Sequence, residues 1–224
     1  MLKDAGGDYD DWREIEYRPA VAELPPYSLL PYLTGTERLL DIGCNVGSTS
    51  LFLARYVHEV IGIDINLQAV GIARQRAVRQ AYGGSVDFFA GDILSAPMFG
   101  TFDVVVMIRV LTCFPDVSTW RRVLRRAHDL LIPGGILYIH DFARSDESVN
   151  YRRRYQEGEA RGWRQGNFAV TDSSGRLLFV AHHHSDDEIE EIQAGYTALN
   201  LEFHGAVSMN GNACRMFRFI GRRQ

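Results

Sequence analysis

The stretch Leu39-Leu40-Asp41-Ile42-Gly43-Cys44-Asn45-Val46-Gly47-Ser48 decides the fold. It reads as a hydrophobic strand ending near an acidic residue, a turn with two glycines, and the start of a helix. Glycine at such a turn lets a ligand approach bare backbone at a helix N-terminus. A dinucleotide-binding turn has the spacing G-x-G-x-x-G and holds a pyrophosphate. Here the spacing is G-x-x-x-G, with Asn45 in the middle. Asp41 adds a negative charge that would repel a pyrophosphate and suits a ligand bearing an ammonium or sulfonium group. A second acid, Asp64 in Gly62-Ile63-Asp64-Ile65-Asn66, ends the next strand, where an acidic residue about 20 positions on accepts hydrogen bonds from ribose hydroxyls. A third, Asp92 in Gly91-Asp92-Ile93, follows the next strand and is placed to accept from an exocyclic adenine amine.

Outward from this turn, short runs rich in Leu, Ile and Val alternate with helical stretches from residue 38 to 142, the pattern of βα units feeding a buried parallel sheet. Strands are expected at 38–42, 59–63, 86–89, 102–107 and 136–141, and helices at 48–56, 67–82 and 118–131. The third helix has both end signals, Ser118 at its start and Pro133-Gly134-Gly135 at its stop. After residue 142 the pattern changes. Residues 145–162 have helical composition, and 167–181 read as two short strands around Asp172-Ser173-Ser174-Gly175. Residues 186–199 read as an amphipathic helix, and Asn210-Gly211 joins two final antiparallel strands. The expected fold is α/β: a Rossmann-like, mostly parallel seven-stranded sheet with helices on both faces, a C-terminal antiparallel β-hairpin, and a small helix-plus-hairpin insertion after strand 5. One domain spans 1–224, with 1–36 as an N-terminal lid or helix and 143–185 as an insertion capping the acceptor.

Composition narrows the function classes. With 46% hydrophobic and 23% charged residues, the 224-residue chain is an ordinary globular one. Its 24 Lys+Arg against 28 Asp+Glu supply no whole-domain field for phosphate backbones. Cys44, Cys113 and Cys214 lie far apart without a C-x-x-C pair, so neither a disulfide framework nor a zinc site is expected. There is no basic, apolar leader and no long uninterrupted apolar run. A cytoplasmic protein without membrane contact is the expectation, as monomer or homodimer.

In their order and spacing, the strand, glycine turn and three acids resemble the class I S-adenosylmethionine-dependent methyltransferases, in particular those acting on small molecules. The matched motifs run from Asp41 to Asp141, and the C-terminal hairpin extends the likeness. The resemblance implies that Asp41, Gly43, Cys44, Asn45 and Gly47 hold the methionine moiety of S-adenosyl-L-methionine. It implies that Asp64, with Ile65 and Asn66, holds the ribose, and that Asp92 with Ile93 holds adenine. Ile108 and Arg109 would then lie beside the sulfonium. The implied reaction is direct displacement at the methyl carbon by a nitrogen or oxygen of a small-molecule acceptor, releasing S-adenosyl-L-homocysteine. Asn45 departs from the glycine of many members. The segment after the fourth strand, Ile108 to Asp116, lacks the N/D-P-P-Y/F motif of enzymes that methylate nucleobase or glutamine amino groups. Leu111-Thr112-Cys113-Phe114-Pro115-Asp116 instead resembles the L-x-x-x-P-D segment of small-molecule enzymes.

Candidate acceptor-facing residues come from several places. His140-Asp141 ends the fifth strand, where a histidine held by a carboxylate acts as a base; it could equally just close the strand. His182 and His183, in the run His182-His183-His184, are further candidates. Three consecutive histidines do not make a metal site by themselves, because adjacent strand residues point to opposite faces and at most two converge; no metal is expected. Tyr9 and Tyr17, with Trp12 and Tyr27, precede the first strand, where a lid would exclude water and place rings against the sulfonium. Thr112 lies at the acceptor edge. Tyr151-Arg152-Arg153-Arg154-Tyr155 is either an anion clamp, with Arg152 and Tyr155 on the acceptor, or an exposed helix with intrahelical ion pairs. An RNA acceptor engaged by the arginines, a non-catalytic S-adenosylmethionine binder and a dinucleotide oxidoreductase are the competing readings; the acidic balance and the absence of an appended RNA-binding domain disfavour nucleic acid.

Overall fold

The computed structural model describes residues 25–79, 83–97, 100–172, 174–208 and 211–224. After a 3-10 helix at Tyr27–Tyr32, the chain runs through β1 (Arg38–Ile42), α1 (Ser48–Leu53), β2 (Glu59–Asp64), α2 (Leu67–Val78), β3 (Ser85–Ala90), β4 (Phe102–Ile108), α3 (Val117–Leu130) and β5 (Leu131–Ala143). It continues through α4 (Val149–Glu159), β6 (Asn167–Thr171), β7 (Leu177–His182), α5 (Asp186–Ile192), β8 (Tyr196–Val207) and β9 (Ala213–Arg223).

Seven strands form one sheet in the order β3-β2-β1-β4-β5-β9-β8. The first five are parallel, and β9 lies antiparallel to both β5 and β8. β6 and β7 form a separate antiparallel hairpin. The central strands β1 and β4 are buried on both faces, which is why their sequences are nearly unbroken apolar runs rather than alternating ones. Leu40, Ile42, Val105 and Met107 face α3 and α5 with Trp120, Val123, Ile189 and Ile192. Leu39, Val104, Val106 and Tyr138 face the opposite layer with Leu29, Leu53 and Val57. The expected fold class is therefore the observed one.

Local chemistry sets the helix ends. Asp116 caps α3 by accepting from the Thr119 N–H at 2.9 Å, and Trp120, Val123, Ala127 and Leu130 form its buried stripe. Ser185 and Glu188 form a reciprocal capping box at the start of α5.

Three expected boundaries are corrected. The helix expected over 186–199 ends at Ile192, and Tyr196 already belongs to β8. Gly195 adopts φ +85°, a left-handed stop that glycine takes without strain, and Tyr196 pairs with Arg223. β5, expected from residue 136, already begins at Leu131, so Pro133-Gly134-Gly135, which follows the end of α3 at Leu130 as a stop signal does, belongs to the strand. This stretch lies inside the irregular start of β5, where the register against β4 shifts between Phe102 and Val104. α1 stops at Leu53, short of the expected residue 56. The expected end of α2 at 82 falls outside the described residues.

Candidate active site

Strand order reverses between β1 and β4, so the turns leaving their carboxyl ends diverge and open a crevice, the usual ligand position in such sheets. Both turns are strained. Among the described residues, Asn45 (φ +49°) and Arg109 (φ +56°) are the non-glycine positions in the left-handed region. Such conformations persist where the surroundings over-determine them and cluster at functional sites. The turns also touch: a Cβ on Gly43 (φ +73°) would stand 2.6 Å from Cγ2 of Val110, so only glycine fits that cradle. Gly47, at φ +77°, is equally confined, 2.7 Å from the Phe88 ring by the same measure.

Acids ring the crevice from the strand ends. Asp64 closes β2 and accepts the Asn45 N–H at Oδ2 and the Asn66 N–H at Oδ1, each at 2.8 Å. It thus pins the glycine turn to the start of α2, which Asn66 caps. Burial pushes its pKa up against those two hydrogen bonds. Asp92 sits just past β3 and accepts the Leu94 N–H at 2.9 Å, with Ile93 buried beside it.

Asp41 differs from the expectation of a charge pointed openly at the turn. It is buried beneath α1 and accepts the Ser50 hydroxyl at 2.6 Å. Burial pushes its pKa up to about 7, Ser50 opposes this, and the charge of Asp64 adds to it. Near neutral pH the carboxyl is then poised between protonated and charged, and a cation entering the crevice favours the charged form. The cradle that only glycine fits, the backbone-anchored carboxylate of Asp64 and the acid at Asp92 suit a nucleoside carrying a cationic amino-acid tail.

The acceptor-side candidates are sorted differently. His140 and Asp141 do not form a base held by a carboxylate, because consecutive strand residues point to opposite faces. Asp141 is wholly buried and accepts from Leu111 N at 2.8 Å, Thr112 N at 3.3 Å and Phe142 N at 2.8 Å. It therefore shapes the turn after β4 rather than meeting an acceptor, with its pKa pushed up to about 7 by burial against those bonds. His140 is half-buried beside Ile108, its neighbour on β4, and its carbonyl accepts the Arg109 N–H at 2.8 Å. Its Nε2 lies 3.1 Å from Nε2 of His204 on β8. Burial first, then His204, Arg218 and Arg109, push its pKa down to about 3. Thr112 is buried, its hydroxyl donating to the His182 carbonyl at 2.8 Å.

The cap is a core of its own rather than a ligand clamp. Tyr151, Tyr155, Phe168 and Ala181 pack with Cys214 and Met216. The Tyr155 hydroxyl pairs with Nδ1 of His183 at 2.8 Å and accepts the Ser145 N–H at 3.2 Å, so Tyr155 does not reach an acceptor. His183 stacks on Phe142 inside this core. Arg152 is an exposed residue of α4, Arg153 pairs with Glu157, and Arg154 lies over Phe168 while donating to the Ala169 carbonyl. The clamp is thus dismantled by packing. His182 is buried on the other side of β7, facing Asn167 and Glu188. His182, His184 and Glu188 bring their donor atoms within 4.8 Å of one another: two of the three histidines converge, as strand alternation allows, and the third donor comes from α5. Tyr9, Trp12 and Tyr17 lie outside the described residues. Ser50, His204 and Glu188 carry contacts that the sequence did not single out; of these only Glu188 had a signal, the Ser-x-x-Glu of a capping box.

Comparison with known proteins agrees with this geometry. The family described as "Methyltransferase domain" matches residues 40–139. A probable methyltransferase, ltbC, of Aspergillus luteorubrus is 33% identical over 128 residues, 54% of this chain and 45% of that protein. A ubiquinone biosynthesis O-methyltransferase of Paraburkholderia phymatum is 30% identical over 138 residues, 59% of this chain and 57% of that protein. The chain spans about half the length of these curated relatives. A solved S-adenosylmethionine-dependent methyltransferase from Methanosarcina mazei is 28% identical and superposes with a TM-score of 0.83 over 90% of this chain and 99% of that one. With the sheet order, the strained paired turns and the strand-end acids, these likenesses identify residues 40–139 as a methyltransferase domain, in a chain whose fold is that of S-adenosylmethionine-dependent methyltransferases.

Proposed function

We propose that the protein moves a methyl group from S-adenosylmethionine to an oxygen or nitrogen of a small-molecule acceptor. The observation that carries this reading is the pair of strained turns at Asn45 and Arg109, locked together through Gly43 and Val110 and flanked by Asp41, Asp64 and Asp92. S-adenosylmethionine, when bound, supplies a methyl group already activated by a positively charged sulfur. In the proposed arrangement Asp64 accepts from the ribose, Asp92 and Ile93 border the adenine, and the backbone from Gly43 to Gly47 lies against the methionine part. Asp41 supplies the buried negative charge that a cationic tail draws into its ionised form.

The chain's own work is then mainly alignment and water exclusion, which in favourable cases is worth about 7 to 11 kcal/mol, against about 10²- to 10⁴-fold for a general base. His140 is the candidate base that keeps partial exposure at the carboxyl edge of the sheet. With its pKa pushed down to about 3 it is neutral at physiological pH. It can accept a hydrogen bond from an acceptor hydroxyl or amine but holds a proton only weakly, so alignment outweighs base catalysis here. A small acceptor fits the net charge of −4 better than a polyanion does. The relatives from Paraburkholderia and Rhodobacter capsulatus carry O-methyltransferase names, which favours oxygen as the atom methylated.

The test is release of S-adenosylhomocysteine over a panel of phenols, carboxylic acids, small amines and bulk tRNA. Turnover on one small-molecule class is the expected result. Turnover on tRNA alone, or cofactor binding without turnover on any acceptor, would overturn the proposal.

A further inference from the structure

The end of β7 and the first turn of α5 enclose a polar cluster that the methyl-transfer reading does not use. His182 and His184 are wholly buried, Glu188 nearly so, and their nitrogen and oxygen donor atoms all lie within 4.8 Å of one another. Both ring nitrogens of His184 lack a hydrogen-bond partner, although the ring is packed among Trp120, Phe217 and His182. A buried polar group without a partner is costly, and phenylalanine would fill the same aromatic slot without that cost.

His182 adds a second observation. Asn167 donates its side-chain N–H to the Pro115 carbonyl at 3.1 Å, which turns its Oδ1 toward Nδ1 of His182 at 2.7 Å. Nδ1 therefore carries the hydrogen, and Nε2 faces both carboxylate oxygens of Glu188, at 3.1 and 3.2 Å. Two acceptors this close need a positive charge between them, either a second proton or a cation. A proton would account for His182 and Glu188 but leave His184 stranded; one metal ion accounts for all three. With zinc–ligand bonds of about 2.0 to 2.1 Å, neighbouring ligands of a tetrahedral site stand about 3.3 to 3.4 Å apart; Nε2 and Glu188 already stand at that separation, while the wider spacings in the cluster, up to 4.8 Å, close by about 1 Å or more as the donors draw in on an ion. The outer contacts are also those of a metal site: Asn167 orients one imidazole, while Arg164 and the Ser185 N–H hold the carboxylate.

We propose that His182, His184 and Glu188 form a buried site for one divalent transition-metal ion of borderline softness, zinc by its donor set. Two imidazoles and a carboxylate suit zinc better than magnesium or calcium, which prefer all-oxygen shells. Complete burial assigns the ion a structural role. The site joins the hairpin, α5, the end of β5 through the Ala143–His184 bridge, and the turn after β4 through Thr112 and Pro115. It stands independently of the methyl-transfer reading.

The experiment uses the full chain purified without a polyhistidine tag. Elemental analysis is expected to find about one zinc per chain, chelation to lower the unfolding midpoint by at least about 5 °C, and added cobalt(II) to give the visible bands of a tetrahedral site. His184→Phe is the deciding variant, because it retains the ring and the aromatic packing while removing the ligand. It is expected to weaken metal binding by about tenfold or more with the far-ultraviolet spectrum unchanged. Wild-type protein with less than about 0.1 ion per chain, no cobalt uptake and a midpoint indifferent to chelator would overturn the proposal. So would a His184→Phe protein that binds metal as the wild type does.

Discussion

Around the glycine turn, residues 41–66, the polar contacts of the two acids join neighbours in sequence or adjacent strand ends: Asp64 with Asn45 and Asn66, Asp41 with Ser50. In the cap, residues 143–185, they reach across the chain. Asn167 bonds Pro115, the His182 carbonyl takes the Thr112 hydroxyl, and the Ser145 hydroxyl oxygen accepts from Arg215 N at 2.7 Å. In the first region polar groups are arranged around a space, and in the second they are consumed in filling one. Polar side chains thus line strand ends in one place, where we propose that the acids bind cofactor, and fill a core in the other. Substitutions should divide accordingly, with changes near the turn acting on cofactor affinity and changes in the cap acting on stability.

The largest effect is expected from Gly47→Ala, where a side chain must adopt φ +77° and intrude on Phe88. Strain and overpacking together should cost about 2 to 5 kcal/mol of unfolding free energy, read by urea denaturation. A loss below 1 kcal/mol, on the same scale of strain, would mean that the turn relaxes and is not a fixed cradle. Asp64→Ala comes next. It should weaken S-adenosylmethionine binding by about 1 to 3 kcal/mol in calorimetry, since ribose hydroxyls and the Asn45 and Asn66 amides lose their charged acceptor. Unchanged affinity would show that the ribose lies elsewhere.

Tyr155→Phe probes the other region. Losing the hydroxyl between His183 and Ser145 should cost about 1 to 3 kcal/mol of stability and leave the acceptor KM within twofold. A selective rise in acceptor KM instead would restore Tyr155 to the acceptor site.

The pKa of Asp41 makes a pH prediction of similar size. The carboxyl must ionise to pair with a cation, so affinity should rise about tenfold between pH 6 and pH 8, and Asp41→Asn should flatten the slope. Ligand-free stability should run the other way. Asp41 and Asp141 have folded pKa values of about 7, raised above the ordinary carboxylate value of 3.8. Their contribution is full below about pH 4 and is lost as pH rises through 7. A melting temperature that climbs over that window would contradict the burial argument. The smallest effect belongs to Arg152→Ala on the exposed face of α4, expected to change stability by less than about 0.5 kcal/mol and to leave kcat/KM unaltered. A selective rise in KM would bring back the clamp.

The same contrast explains what could be read from the sequence. The sheet, its first five strands, the hairpin and the acids at 41, 64 and 92 were legible because each signal is local: an apolar run, a glycine spacing, an acid at a strand end. α5 was overrun because Thr197, Ala198 and Leu199 continue a helical apolar pattern, while the pairing of Thr197 and Ala198 with Arg222 and Gly221 of β9 is decided more than 20 residues away. His182 and His184 were seen, but their third partner was recognisable only as a capping-box glutamate, since convergence on one point is a property of the folded hairpin. The pairing of His140 with His204 joins strands that are neighbours only once β9 lies between them, and no spacing announces it.

The way the cap's interior is completed limits how the protein can be re-engineered. Cys214 and Met216, from the last strand of the main sheet, supply part of the surface on which Tyr151, Tyr155 and Phe168 rest. A segment cut out at 143 and 185 would leave those two residues bare on the host and carry away a half-lined module. Transplanting the cap between relatives would therefore require the distal end of β9 to travel with it, so the unit of recombination is discontinuous in the chain.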